Sequence, residues 1–315
     1  MPRRIILDCD PGHDDAVAMI LAHGDPGIDL VGVTTVAGNQ TIEKVTRNAL
    51  AVARVIGLDA PVARGAAHPL QRPLDTAEET HGDSGLDGPR LPEPTRALDP
   101  RPAAQFIVDT VMAAQPGEIT LVPTGALTNI ALALRLEPRL VDRVREVVLM
   151  GGAVHGGNWT PTAEFNILVD PEAADAVFTA GWRVTMVGLD ATHRALATPD
   201  VVERIAAIGT GPARFVGELM EFFAEAYRET QGFDHPPVHD PVAVAAVIDP
   251  TLLTLVPTPI RVETRGAHTL GMTVTDLRRD WPDDTPTRVA LDLDAPRFWD
   301  LVIAAIERIG EPPLD

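Results

Sequence analysis

Apolar positions along the first sixty residues alternate between two rhythms. Residues 4–8 (RIILD) form an apolar run of strand length that ends in the turn pair Pro11-Gly12. Residues 14–22 (DDAVAMILA) then carry apolar side chains at helical spacing behind acidic ones, which suit the positive end of a helix. Residues 28–36 are β-branched and mostly apolar, like a buried strand; 41–56 return to the helical period, and 61–64 read as a short third strand. The alternation recurs, with strands predicted over 119–122, 144–149 and 184–188 and helices over 102–114, 127–136 and 171–180. Residues 211–229 form a longer amphipathic helix rich in Phe and Met. Near the C-terminus, 259–263, 272–275 and 289–293 read as antiparallel additions, and 295–309 as a closing helix. Repeated β-α alternation predicts an α/β fold with a parallel or largely parallel sheet covered on both faces. Two irregular stretches, 68–100 and 230–239, have the character of binding loops rather than linkers, so residues 1–315 read as a single domain.

Composition narrows the functions open to such a fold. The 315 residues are 45% hydrophobic and 23% charged, which suits a large core, and the formal charge is −19. So acidic a surface repels polyanions, which argues against nucleic acid and anionic membranes as partners. Cys9 is the only cysteine, which fits a reducing compartment and excludes an intrachain disulfide. The short apolar stretch after Met1 meets Asp8 too soon for a signal peptide, and no apolar run approaches the roughly 20 residues of a membrane span. The expected location is the cytoplasm.

In sheets of this kind ligands bind outside the carboxyl ends of the strands. There the chain places Asp8-Cys9-Asp10-Pro11-Gly12-His13-Asp14-Asp15, with four carboxylates within eight residues. Helix capping accounts for Asp14 and Asp15 but not for Asp8 and Asp10, whose mutual repulsion a bound divalent cation would relieve. Hard oxygen ligands favour Ca²⁺ or Mg²⁺. Four carboxylates would also hold the Cys9 thiol protonated, so Cys9 reads as a small buried residue. A second cluster, Met150-Gly151-Gly152, Gly157-Asn158 and Ala163-Glu164-Phe165-Asn166, follows a predicted strand. It has the donors and acceptors needed to hold sugar hydroxyls, although by itself it reads better as a polar loop with Asn in turn positions. In His239-Asp240-Pro241, Asp240 could simply cap a helix beginning at Pro241, or the pair could supply a proton donor and a metal ligand. Tyr227, one turn beyond Phe223, reads as packing, and His81 as a surface histidine in the long loop.

Taken in order, these segments, together with Ala37-Gly38-Asn39, His81-Gly82, Thr124-Gly125-Ala126-Leu127-Thr128-Asn129 and Asp170-Pro171-Glu172-Ala173, resemble the inosine–uridine-preferring nucleoside hydrolase family across most of the chain. The resemblance implies a mixed, mainly parallel sheet flanked by helices, Ca²⁺-dependent cleavage of ribonucleosides to base and ribose, a role in nucleoside salvage, and a homodimer or homotetramer. It implies that Asp10, Asp15, Asp240 and the backbone carbonyl of Thr124 hold Ca²⁺, so that the Thr124 side chain need not matter. It also implies that Asp14, Asn39, Asn158, Glu164 and Asn166 grip the ribose with Met150 beside it. Asp10 then resembles the general base and His239 the donor to the leaving base, with His81 and Tyr227 bordering the base. Ala126 departs from the Pro or Gly common in the family, and the pattern around Phe223, Tyr227 and Gln231 carries no base preference.

Two rival readings make distinct demands. A haloacid-dehalogenase-type phosphatase would use the Asp8-x-Asp10 pair but normally enlists a lysine, and Lys44 is the only one in the chain, outside any matching motif. A non-catalytic Ca²⁺-dependent nucleoside-binding protein would lack a base or donor, yet Asp10 and His239 are both present. The acidity disfavours phosphorylated forms of the substrate, whereas a neutral nucleoside could enter unopposed.

Overall fold

The first apolar run lies at the centre of the molecule because neither of its faces meets water. In the computed structural model it forms β1 (Arg3–Cys9), whose Ile5 and Leu7 pack into one core and whose Ile6 packs into another on the opposite face. Period-two alternation thus feeds two helical layers, and each fully buried aliphatic side chain contributes roughly 1.5–3 kcal/mol. The structure describes residues 1–310; residues 311–315, assigned to the same domain from sequence, lie outside the described part.

The remaining strands are β2 (Ile28–Thr35), β3 (Val62–Arg64), β4 (Ile119–Pro123), β5 (Glu146–Met150), β6 (Val184–Val187), β7 (Leu253–Pro257), β8 (Ile260–Val262), β9 (Thr273–Thr275) and β10 (Thr287–Leu293). Eight of them form one sheet in the order β3-β2-β1-β4-β5-β6-β10-β7. All its neighbours run parallel except β7, which is antiparallel to β10. The mixed, mainly parallel sheet flanked by helices is the fold class expected.

The C-terminal strands differ in detail from the expectation. Residues 289–293 belong to β10, which joins the main sheet parallel to β6 rather than antiparallel. The antiparallel edge is β7, unpredicted because its half-exposed residues and closing Pro257 weaken the strand signal. Only β8 and β9 form an antiparallel pair of the expected kind, in a separate two-stranded sheet. Strand direction depends on how a connection crosses the sheet, which local periodicity does not encode.

The chain runs outward from β1 through β2 to β3, then returns to β4 on the other side of β1. This reversal makes the carboxyl ends of β1 and β4 a topological switch point, where open α/β sheets form ligand crevices. The long irregular stretch 68–100 folds over that edge and contributes a short helix, Glu78–His81, which packs on the long helix Gly211–Thr230. No described helix is long and apolar enough to cross a membrane.

Candidate active site

The turn after β1 delivers its carboxylates in different directions. Asp8 points toward β2, where Oδ1 accepts hydrogen bonds from Thr34 Oγ1 at 2.6 Å and Asn129 Nδ2 at 2.8 Å. Asp8 therefore ties three elements together, and burial raises its pKa to about 7. Asp10 turns the other way. Its Oδ2 accepts the Asn39 backbone N–H at 2.6 Å, while Oδ1 is buried without a partner among the described residues. Two glycines wall it in. A Cβ on Gly38 would lie 2.1 Å from Asp10 Oδ2 and one on Gly125 2.4 Å from Oδ1, so neither position tolerates a side chain.

Asp14 and Asp15 occupy the first turn of the helix His13–Gly24. The capping account of Asp15 is part of the truth, since its Oδ2 accepts the Gly12 N–H at 3.0 Å. Oδ1, however, accepts Thr124 Oγ1 at 2.8 Å from the end of β4. The Thr124 side chain thus matters, contrary to the expectation that only its carbonyl would. The reason is that Asp15 needs a donor at that oxygen and the hydroxyl is within reach. For Asp240 the capping alternative fails: the helix Asp240–Ile248 begins at Asp240 itself, with no side-chain cap. Carboxylate oxygens of Asp14, Asp15 and Asp240 lie within 4.8 Å of one another, a group able to hold a metal ion. Asp10, the ligand expected from sequence, lies outside this trio but is electrostatically coupled to it. Burial first, and then Asp15, pushes its carboxyl well above the usual range. Burial and the neighbouring aspartates do the same to Asp240, and Asp14 rises to about 7.

Across the crevice, β5 ends at Met150 and the loop beyond it supplies the polar wall. Glu164 caps the short helix Phe165–Val169, accepting backbone N–H bonds from Asn166, Ile167 and Gly152; burial nonetheless raises its pKa to about 7. Asn166 Nδ2 donates to the Thr124 carbonyl at 2.7 Å and to the Met150 carbonyl at 3.2 Å. Asn158 uses its Oδ1 on the Phe165 N–H at 3.0 Å.

The third wall is aromatic. His239 Nδ1 meets Thr192 Oγ1 at 2.7 Å, and Nε2 meets the Tyr227 hydroxyl at 2.8 Å, in a site where burial pushes the ring's pKa well below normal. Tyr227 packs edge-on against Phe223 as its spacing suggested, but its hydroxyl is wired to His239. His81 is buried rather than a surface residue, and its Nδ1 lies 3.1 Å from Nδ1 of His13. His13 stacks on Phe222 and Phe223, and burial holds its pKa at about 4, so the ring is neutral. Its Nε2 lies 2.8 Å from the Asp87 carbonyl, which can only accept, so Nε2 carries the proton and Nδ1 is bare. The backbone N–H of His13 donates to the same His81 nitrogen, Nδ1, at 3.4 Å.

One pocket collects these walls. It is lined by Asp14, Asn39, His81, Thr124, Met150, Asn158, Glu164, Asn166, Tyr227, His239 and Asp240, with Asp10 and Asp15 wholly buried beneath. Ala77, Thr80 and Trp159 also line it, and the sequence reading did not single them out. Thr192 and His13 act one contact behind the surface. His13 lay inside a motif already noted, but Thr192 carries no local signal. No Lys or Arg lines the pocket, and Lys44 is half-exposed, paired with Asp83 at 2.9 Å. The lysine that a phosphatase of the rival type would need is therefore elsewhere. Cys9 is buried with its thiol pKa raised by desolvation, so it is no nucleophile.

A family model described as inosine-uridine preferring nucleoside hydrolase matches residues 5–300, a span holding every residue of the pocket. The chain belongs to this family. The hydrolase is 54% identical over 314 residues to the inosine-uridine preferring nucleoside hydrolase of Crithidia fasciculata, covering 99% of this chain and 100% of that one. It is 47% identical to the pyrimidine-specific ribonucleoside hydrolase RihA of Photobacterium profundum, covering 96% and 98% of the two chains. Its fold matches the purine-preferring ribonucleoside hydrolase from Gardnerella vaginalis with a TM-score of 0.91 at 34% identity, over 98% and 99% of the two chains. It is thus an enzyme whose chemistry is hydrolysis of N-glycosidic bonds, and neither rival reading is favoured.

Proposed function

We propose that this nucleoside hydrolase is a Ca²⁺-dependent ribonucleosidase that yields free base and ribose for salvage. The observation carrying the metal requirement is the set of Asp10, Asp14, Asp15 and Asp240, buried together in a pocket without a cationic side chain. Several buried carboxylates cannot all ionise unless a positive charge compensates them. The partnerless Oδ1 of Asp10 and the clustered oxygens of Asp14, Asp15 and Asp240 fit a hard dication. Asp10, Asp15, Asp240 and the second lone pair of the Thr124 carbonyl would hold it. A cation bound there supplies Lewis-acid polarisation and lowers the pKa of a ligated water.

The protein's own groups divide the remaining work. Breaking the ribosyl C–N bond places positive charge on the sugar and negative charge on the base. Asp14 and Glu164 lie on the sugar side and oppose the first charge. Asn39, Asn158 and Asn166, with Met150 beside them, orient the hydroxyls. Asp10 accepts the proton of the attacking water. On the opposite wall, the Thr192–His239–Tyr227 chain carries a proton toward the departing base, which His81 borders. Tyr227→Phe keeps the ring packing but breaks this chain. We expect kcat to fall by about 10²-fold, the lower range for a proton-transfer group. Unchanged kcat for every nucleoside would remove Tyr227 from the mechanism.

The direct test is ribose release from inosine, uridine, cytidine, adenosine and guanosine. Phosphate release from phosphomonoesters, with no free ribose from any nucleoside, would contradict the reading. If the ribose hydroxyls are gripped as described, deoxyuridine should turn over about 10–10²-fold less efficiently than uridine, the cost of one charge-assisted contact. Equal turnover would count against that grip. The same reading includes a homodimer or homotetramer, which light scattering of the purified protein distinguishes from a monomer.

A further inference from the structure

The edge of the sheet opposite the catalytic pocket carries an unusual charge. At the amino ends of β1, β5, β6 and β10, a groove of about 540 Å³ is lined by Arg3, Arg145, Arg183 and Arg288. Its size falls within the roughly 300–1,000 Å³ of small-molecule sites. Arg288 is neutralised by Glu146 at 3.0 Å and braced by Thr185 Oγ1 at 2.7 Å. Arg3, Arg145 and Arg183 form no ion pair or side-chain hydrogen bond among the described residues. This is unexpected in a chain of net charge −19, where acidic partners are abundant and most described arginines have found one.

The groove also has an apolar floor. Trp182 is 4% exposed at its base, and Val144 and Leu255 continue the surface toward the edge strand. Uncompensated guanidinium groups at a concave site with an aromatic, aliphatic floor are suited to a phosphate attached to a flat ring. The catalytic pocket is the electrostatic opposite: its carboxylates repel a phosphate. We propose that this groove is a second ligand site, selective for nucleoside monophosphates, on the face away from the catalytic carboxylates. The phosphate contacts the free forks of Arg145 and Arg183, and the base lies on the floor beside Trp182. The enzyme would thereby sense the phosphorylated form of the compound class it hydrolyses.

The test is isothermal titration of the full chain with uridine and adenosine monophosphates, inorganic phosphate and uncharged ribose, repeated for the double variant Arg145→Ala/Arg183→Ala. Both residues lie outside the catalytic machinery, so ribose release from nucleosides should be unchanged, which also shows that the variant is folded. The monophosphates should bind the wild type at least tenfold more tightly than inorganic phosphate, weaken as salt rises, and bind the double variant at least tenfold less tightly. They should bind Asp10→Asn as tightly as wild type, which separates this site from the catalytic pocket. Equal affinity for monophosphates and inorganic phosphate would overturn the nucleotide assignment. Absence of binding, or binding indifferent to the double substitution, would overturn the site. A change in oligomeric state in Arg145→Glu/Arg183→Glu, with no response to monophosphates in the wild type, would show instead that the groove receives another copy of the chain.

Discussion

Asp10→Asn should abolish nearly all ribose release, by about 10²–10⁴-fold, the range for a general base. The substitution is nearly isosteric. An asparagine can still accept the Asn39 N–H that now reaches Oδ2 at 2.6 Å, so the turn after β1 should survive. What disappears is the basicity of the carboxylate and one negative charge from the buried cluster. Asp15 and Asp14 push the Asp10 carboxyl up, and Asp10 in turn pushes up Asp240, so removal of its charge eases repulsion in the metal-free protein. The variant should therefore melt higher than wild type in chelator while remaining inactive in saturating Ca²⁺. That combination distinguishes a catalytic loss from misfolding. Wild-type turnover by metal-replete Asp10→Asn would refute the assignment.

Complete removal of divalent metal should have an effect of similar size on activity and a larger one on stability. A ligand present at about a thousand times its dissociation constant stabilises the folded state by about 4 kcal/mol. A cation bound here would offset the repulsion among the trio held within 4.8 Å and the adjoining Asp10. Exhaustive chelation should lower the melting temperature by several degrees and eliminate ribose release, and Ca²⁺ added back should restore both. Full activity after verified metal depletion would overturn the metal requirement, and recovery with Mg²⁺ but not Ca²⁺ would overturn the choice of ion.

Much of this site is legible in the sequence. The turn after the first strand, the polar segment after β5 and the His239-Asp240 pair are local motifs; the first two follow parallel strands, and the pair opens the helix Asp240–Ile248. The less legible features are contacts between residues far apart in sequence. Asp15 takes the Thr124 hydroxyl from 109 residues away, and Thr192 reaches His239 across 47. Tyr227 shows how a correct local reading can be incomplete. Its spacing from Phe223 indicates packing, which occurs, but spacing says nothing about where the hydroxyl at the far end of the ring arrives. For His81 the composition of its loop and the family resemblance point different ways. A Pro- and Gly-rich loop usually lies on the surface, yet this one folds over the crevice and buries its histidine against His13.

The sequence by itself determined the α/β class, the carboxyl-end location of the site and its acidic chemistry. Those follow from side-chain period and residue type within windows of a few residues. Only the tertiary structure decided that Asp8 binds Thr34 and Asn129 while Asp14 joins Asp15 and Asp240. It alone set β10 parallel to β6, wired Tyr227 to His239, and gathered arginines from separate strand ends into one groove. The physical reason is common to all of these. Strand order and crossover direction are settled by how whole layers pack, and they bring together residues whose neighbours in sequence give no sign of the meeting.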